Sequence, residues 1–518
     1  MRKRLIGCRR ERRATGLGFL VLAHATIVRA EQSSPRPLAV HGPGVVWAID
    51  EPHAHCSDER MDAIVDVDYV VVGAGAMGMA FVDALTGAAD DVSVAIVDRR
   101  HGAGGHWLDA YGFVRLHQAS AFYGVASTLL GGGRLQDDGP ERGLHERASA
   151  AEVSEYYARV LARLVRSGRV AFHGRSEYLG DRRFVSLLSG TRFHAPRARV
   201  VDARYLSPDI PLLTPPPFAV EDGAHVVAVN DLVRLAEAPG HYVIVGAGKT
   251  ATDTCVWLLQ NGVGANAITW VRPRDPWLLN RAVVQPDPAI FLGMAADTMA
   301  AAAAASDPDD VFFRMEDAGI MLRFDPAVTP TMAKTPTLAT WELDLVRTID
   351  DVVRRGHLKS AGHGRLTFAD GDVHVPADSL VVHCAAEGLK YPGLRPIWTP
   401  EAITPQPVRV GFPCYGAALS GYVEATRDDD AEKNRVCRPS PYSDTPADWA
   451  TMQTIGGDAS LAMSKETDLR AWSNTTSLNP ARVSPEQADD PAVLAAAARF
   501  KQNIGAGRAR LAEFAGIA

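Results

Sequence analysis

The sequence predicts an α/β chain built on two parallel sheets, and three observations predict it. A β-branched run, a glycine turn and a helix-compatible segment occur in that order twice. The first copy is Val70-Val71-Val72-Gly73-Ala74-Gly75-Ala76-Met77-Gly78, and the second is Tyr242-Val243-Ile244-Val245-Gly246-Ala247-Gly248-Lys249-Thr250-Ala251-Thr252-Asp253. Each is followed, about one helix later, by a further apolar strand, Val92 to Val97 and Ala267 to Val271. The chain has 518 residues, 47% of them hydrophobic and 22% charged, enough for two or three cored domains. A turn of this kind presents a helix N-terminus to a pyrophosphate. The fold class expected is therefore α/β, with two Rossmann-like dinucleotide-binding domains.

The formal net charge of −7 argues against general nucleic-acid binding. The six cysteines, Cys8, Cys56, Cys255, Cys384, Cys414 and Cys437, form no CxxC or CxxxxC pair. That argues against a disulfide framework and against a redox-active thiol pair. Residues 1–60 read as a basic N-terminal extension, with Arg2, Lys3, Arg4, Arg9, Arg10, Arg12 and Arg13 ahead of a mildly apolar stretch from Gly16 to Val28. The outline is that of a signal peptide, but His24 interrupts the apolar core and the cleavage region at Val28-Arg29-Ala30 is poor. The stretch is also short for a bilayer span. The expectation is an ordered protein beginning near Met61 and a cytoplasmic location, with secretion the alternative. His53, His55 and Cys56 lack the remaining ligands of a metal site, and no metal is expected.

In the first turn Gly73 permits the tight bend, Gly75 lets backbone approach phosphate, and Gly78 lets helix lie close to strand. The following strand ends in Asp98, where a carboxylate can accept hydrogen bonds from a ribose diol. Ala76, Met77 and Arg99 complete this predicted nucleotide site. Next come Gly104-Gly105-His106-Trp107 and Tyr111-Gly112-Phe113-Val114-Arg115-Leu116-His117-Gln118. With these segments the chain resembles the flavin-dependent monooxygenase superfamily, including its Baeyer–Villiger and N/S-oxygenating branches, over roughly residues 66 to 435. The resemblance implies that Gly105, His106 and Trp107 lie along FAD, with Arg115, Leu116 and His117 near the isoalloxazine. It also implies an NAD(P) domain inserted between two stretches of the FAD domain. Ser149-Ala150-Ala151-Glu152 then reads as a capping box, with Gly168 stopping its helix.

The second turn supplies Gly246, Gly248, Lys249, Thr250 and Asp253 as predicted contacts to the nicotinamide cofactor. It lacks the glycine spacing of a nucleoside-triphosphate loop. The strand after it ends in Arg272, which can pair with a 2′-phosphate and favours NADPH over NADH; Arg274 and Lys249 are placed to assist.

The expected domain order is an FAD-binding stretch over 61–210, then the NAD(P) domain over 211–375 with a helical insertion at 276–355. The FAD domain resumes over 376–445, and a turn-rich and helical tail covers 446–518. The insertion includes Ala300 to Ala305 and the periodic set Leu343, Leu345, Val346, Ile349, Val352 and Val353. Gly411-Phe412-Pro413-Cys414 leads a helix whose dipole faces the flavin, and Pro491 to Phe514 is the last helix. The resemblance implies an FAD-containing, NADPH-dependent monooxygenase, using a flavin C4a-(hydro)peroxide and O2 on a small organic substrate. One departure stands against oxygen insertion. Where the N/S-oxygenating branches carry Phe-x-Gly-x-x-x-His, this chain has Phe218-Ala219-Val220-Glu221-Asp222-Gly223-Ala224-His225. The alternatives are a flavin reductase or dehydrogenase without oxygen insertion, and a non-catalytic redox sensor. No catalytic side chain and no oligomeric state is assigned by the sequence.

Overall fold

The β-branched runs become the central strands of two all-parallel sheets. The computed structural model describes residues 62–386, 388, 392–409 and 411–517, so His53, His55, Cys56 and the basic segment lie outside it. In the first sheet β1 (Tyr69–Val72), β2 (Val94–Val97), β3 (Val170–His173) and β4 (Arg199–Asp202) stand in the order β4-β1-β2-β3. Val70 pairs with Ala95 on one side and with Val200 on the other. In the second sheet β5 (His225–Ala228), β6 (His241–Val245), β7 (Ile268–Val271), β8 (Val352–Val353) and β9 (Ser379–His383) stand in the order β5-β9-β6-β7-β8. Strands buried on both faces read as continuous apolar runs, as these do.

Helix α1 (Ala76–Ala88) follows the first glycine turn and α3 (Lys249–Gln260) the second. Helix α2 (Ala150–Arg166) begins at the Ser149/Glu152 capping box and stops before Gly168, which has φ +77°. The chain leaves the first sheet and comes back to it. Asp209 and Gly388 exchange backbone hydrogen bonds of 2.9 and 3.2 Å, so the outgoing and returning strands of chain run side by side. Ile403 then lies parallel to Val201 at the edge of β4. Helix α7 (Pro413–Thr426) packs on α1 so closely that a Cβ at Gly421 would sit 2.3 Å from the Phe81 carbonyl oxygen. The unit built on the second sheet is thus inserted in the first.

Three expectations are corrected. The strand ending at His383 belongs to the second sheet, between β5 and β6, and not to the returning stretch of the first unit. The segment 276–355 is only partly helical. It holds α4 (Pro288–Ala304), α5 (Pro308–Asp317) and α6 (Thr340–Val346), but also a three-stranded sheet of Leu278–Asn280, Met321–Leu322 and Thr337–Leu338. Val352 and Val353 leave the helical series because their β-branched side chains extend the second sheet beside Trp270 and Val271. The tail after α8 (Asp430–Val436) carries α9 (Pro446–Ser464) and α10 (Thr467–Thr475) ahead of α11 (Pro491–Phe514). Helix α9 has little amphipathic signature because, besides the face of Trp449, Met452, Gly456, Ala459 and Met463, it also buries Ala450 and Thr454. Among the described residues, no helix is long and apolar enough to cross a membrane.

Candidate functional site

Six helices, α2, α4, α5, α8, α9 and α11, have their first N–H groups capped by Ser149, Asp287, Asp307, Asp429, Thr445 and Asp490. Helices α1, α3 and α7 carry no capping side chain and no acid in the first turn. All three begin at one continuous cavity of about 1600 Å³. Uncapped N–H groups and the positive end of the helix dipole are what an oxyanion ligand needs.

The first turn is shaped by steric exclusion. A Cβ at Gly78 would fall 1.9 Å from the Gly73 carbonyl oxygen, so only glycine lets α1 leave the strand at this angle. Gly105 adopts φ +60°, and a Cβ there would approach the Gly75 Cα to 3.0 Å. The Gly75 and Gly105 backbones therefore meet with no side chain between them, a bare cradle for a phosphate-bearing chain. Asp98 Oδ2 accepts from the Ala74 N–H at 2.7 Å and Oδ1 accepts from the Arg100 N–H at 2.7 Å. Its carboxylate fixes the turn and still borders the cavity. His106 and Trp107 stand beside it, ring centroids 5.3 Å apart. Burial, with help from the Arg100 charge, pushes the His106 imidazole down to about 4.

Of the other residues singled out in the sequence, Gly73, Ala76, Met77, Arg99, Arg115, His117, Gly246, Gly248, Lys249 and Thr250 also border the cavity. Gly78, Leu116, Asp253 and Arg272 do not. Gly78 serves packing, and Leu116 is buried in the first core. Asp253 is set back behind two residues that do border the cavity, Lys249 and Tyr111. It accepts from Lys249 Nζ at 2.6 Å and from the Tyr111 hydroxyl at 2.8 Å. Arg272 is 3% exposed, with its guanidinium over the rings of Trp270 (4.7 Å) and Phe324 (4.9 Å) and 3.5 Å from Asp275. Burial lowers its pKa to about 10. The strand-end cation that reaches the cavity is Arg274, which donates to Asp444 at 2.8 Å and to the Thr331 carbonyl at 2.6 Å. Lys334, 3.7 Å from the same Asp444, lies next to it.

Between the two turns lies a buried ionic lattice that no sequence motif announces. Arg281 donates to Glu342 (2.6 Å), to Glu141 (3.0 Å) and to the His117 carbonyl (3.0 Å). Arg147 donates to Glu141 at 2.7 Å and to Glu342 at 3.3 Å. His117 Nδ1 accepts from the Thr337 N–H at 3.4 Å. Burial first, and then the Lys249, Arg281 and Arg147 charges, hold this imidazole well below its usual range and keep it neutral. These residues come from distant segments, and no local spacing could have joined them. The four described cysteines are free and buried, and burial raises each thiol above its ordinary range.

No family model matches the chain. It is 39% identical over 419 residues to the uncharacterized protein Rv2000 of Mycobacterium tuberculosis and, equally, to the uncharacterized protein Mb2023 of Mycobacterium bovis, covering 80% of this chain and 78% of each relative. Among solved structures it is similar to a polycyclic ketone monooxygenase from Thermothelomyces thermophila (14% identity, 90% of this chain and 89% of the other, TM-score 0.46). It is similar also to an oxidized steroid monooxygenase bound to NADP (14% identity, 70% and 85%, TM-score 0.46).

Proposed function

We infer the function from the residues of a chain that belongs to the family of the mycobacterial proteins Rv2000 and Mb2023. The reading is an FAD-containing, NADPH-dependent oxidoreductase that transfers oxygen to an organic substrate. One observation carries it: two uncapped helix starts, each behind a glycine turn, open into a single cavity of about 1600 Å³. That exceeds the ~300–1,000 Å³ of a one-ligand pocket, and two dinucleotides facing each other account for it.

FAD fits the first turn. The Gly75–Gly105 cradle takes its pyrophosphate, Asp98 its ribose, and Trp107 offers a flat face. The N-terminus of α7 points its free N–H groups at the same space. NADPH fits the second, with pyrophosphate at Gly246–Thr250 and 2′-phosphate at Arg274 and Lys334 in place of Arg272. When bound, the flavin supplies hydride acceptance and oxygen reactivity, while the protein supplies orientation and a dry enclosure. The large apolar extension of the cavity favours oxygen transfer over simple reduction, because it gives an organic substrate a water-poor place to lie.

The test begins with the purified holoprotein under anaerobic conditions. NADPH should bleach the bound flavin, and readmitted oxygen should appear in product when isotopically labelled. NADPH consumption matched by hydrogen peroxide with every acceptor tried would leave a reductase or oxidase. Absence of flavin and of NADPH oxidation would sink both readings.

A further inference from the structure

Away from the glycine turns the cavity runs into space walled by α4, α5, α9 and α11. Six of the chain's eleven methionines, Met294, Met299, Met315, Met321, Met332 and Met452, line it there. Trp449 and Phe500 add aromatic surface. Among the described residues that these four helices contribute to the lining, Arg508 is the one charged side chain, and it is already paired with Asp458. Glycine brings the insertion and the tail together here: a Cβ at Gly507 of α11 would fall 2.5 Å from the Met299 carbonyl oxygen of α4. Unbranched, polarizable thioether side chains conform to varied apolar shapes. Among these four helices a charged ligand would lose its hydration and find only the already paired Arg508 to replace it.

We propose that this chamber is the substrate site and that its occupant is a bulky, uncharged, predominantly apolar molecule. The assignment rests on the flavin oxidoreductase reading for its chemistry, but the binding is measurable without it. Polar cofactor lies at the two turns, and the apolar substrate enters from the helical end. The C-terminal tail, far from being a loose extension, supplies one wall through α9 and α11.

The probe is the uncharged fluorophore N-phenyl-1-naphthylamine, titrated into the holoprotein with and without saturating NADP+. Its fluorescence should rise on binding, and NADP+ should leave that rise intact. Met294→Glu and Ala295→Trp, one adding charge and one filling space, should each weaken binding about tenfold or more. Ile290→Glu, in the first turn of the same helix, 40% exposed and outside the cavity lining, should not. Competition by NADP+, or unchanged binding in both chamber variants, overturns the proposal. Failure of NADPH to bleach the wild-type flavin is a separate result: it removes the redox reading and leaves the probe measurement to judge the chamber.

Discussion

Replacing Arg274 and Arg272 separately by alanine should give opposite phenotypes. The Arg274 guanidinium is one-third exposed at the cavity and is held by Asp444 and Thr331. A 2′-phosphate placed there gains charge-assisted hydrogen bonds, each worth about 1.5–3 kcal/mol. Lys334 stays behind and Asp444 loses a partner, so a net loss of about 2 kcal/mol is reasonable. That converts to a fall of about 30-fold in kcat/KM for NADPH. With NADH, which carries no 2′-phosphate, the change should stay within about twofold. Arg272 offers no such selectivity. Its removal uncovers the packed rings of Trp270 and Phe324 and leaves buried Asp275 with Arg354 alone, 3.2 Å away. Breaking a buried ion pair costs about 3–5 kcal/mol of stability. The melting temperature should drop, and use of both nicotinamides should fall together. Steady-state kinetics with both nucleotides, beside thermal unfolding, decides the matter. A stable Arg272→Ala protein with NADPH use selectively impaired would refute the assignment, as would equal losses with both nucleotides in Arg274→Ala.

Three further outcomes are expected. Gly248 has an extended backbone (φ −85°) and no atom within 4 Å of a built Cβ. Gly248→Ala should therefore keep or slightly raise the melting temperature, by about 0.4–1 kcal/mol of stability, while the nicotinamide KM rises; a clear loss of stability would mean the turn is not open. Gly105→Ala has to hold φ +60° and push against Gly75, costing about 1–2 kcal/mol in backbone conformation alone. The flavin-to-protein ratio after purification should fall, and full retention of flavin would remove Gly105 from the cradle. The third concerns His106, whose folded pKa of about 4 lies below its ordinary 6.5. The unfolded chain binds this proton first, so the contribution is complete above about pH 6.5 and is lost as pH falls toward 4. By about pH 5 the loss is about 2 kcal/mol, and His106→Gln should show a correspondingly shallower decline in urea midpoint of the apoprotein. Parallel pH profiles for variant and wild type would contradict it.

What the sequence discloses and what it withholds follow one physical division. Both glycine turns are legible because their constraint is local. The clash of a Cβ at Gly78 with Gly73 arises within a single turn. Helices α2 and α11 are legible through Ser149 and Pro491 for the same reason. Side-chain direction at the second site departs from expectation, although the signal for it is present. Residues two apart on a strand share a face, so Arg272 has to follow Trp270, which is 1% exposed. Pro273 then turns the chain and frees Arg274 to face the cavity. Residues four apart on a helix also share a face, which makes Asp253 the partner of Lys249 before it is anything else. The methionine chamber and the ionic lattice have no such signal. Each unites segments more than a hundred positions apart in sequence, as Glu141 and Arg281 show.

That lattice explains how an inserted domain can set the position of residues that belong to the first unit. Arg281 and Glu342 come from the insertion, while Glu141, Arg147 and His117 come from the first unit. Two arginines opposite two glutamates are formally neutral as a group, yet both arginines stand near enough to His117 to disfavour its protonation. Replacing such a group by well-packed apolar residues is often neutral for stability, and its consequence here is positional. Arg281 fixes the His117 carbonyl and Thr337 occupies Nδ1. That bond makes Nδ1 the acceptor of a neutral imidazole, and His117 borders the cavity. A histidine held neutral by burial and three nearby cations cannot supply positive charge where the two cofactors would meet. The starts of α1, α3 and α7, whose lack of capping side chains leaves their backbone N–H groups open, offer an anion what this imidazole does not. Where the His117 ring sits therefore depends on how the insertion docks, because Arg281 and Thr337, which hold its carbonyl and its Nδ1, both come from it.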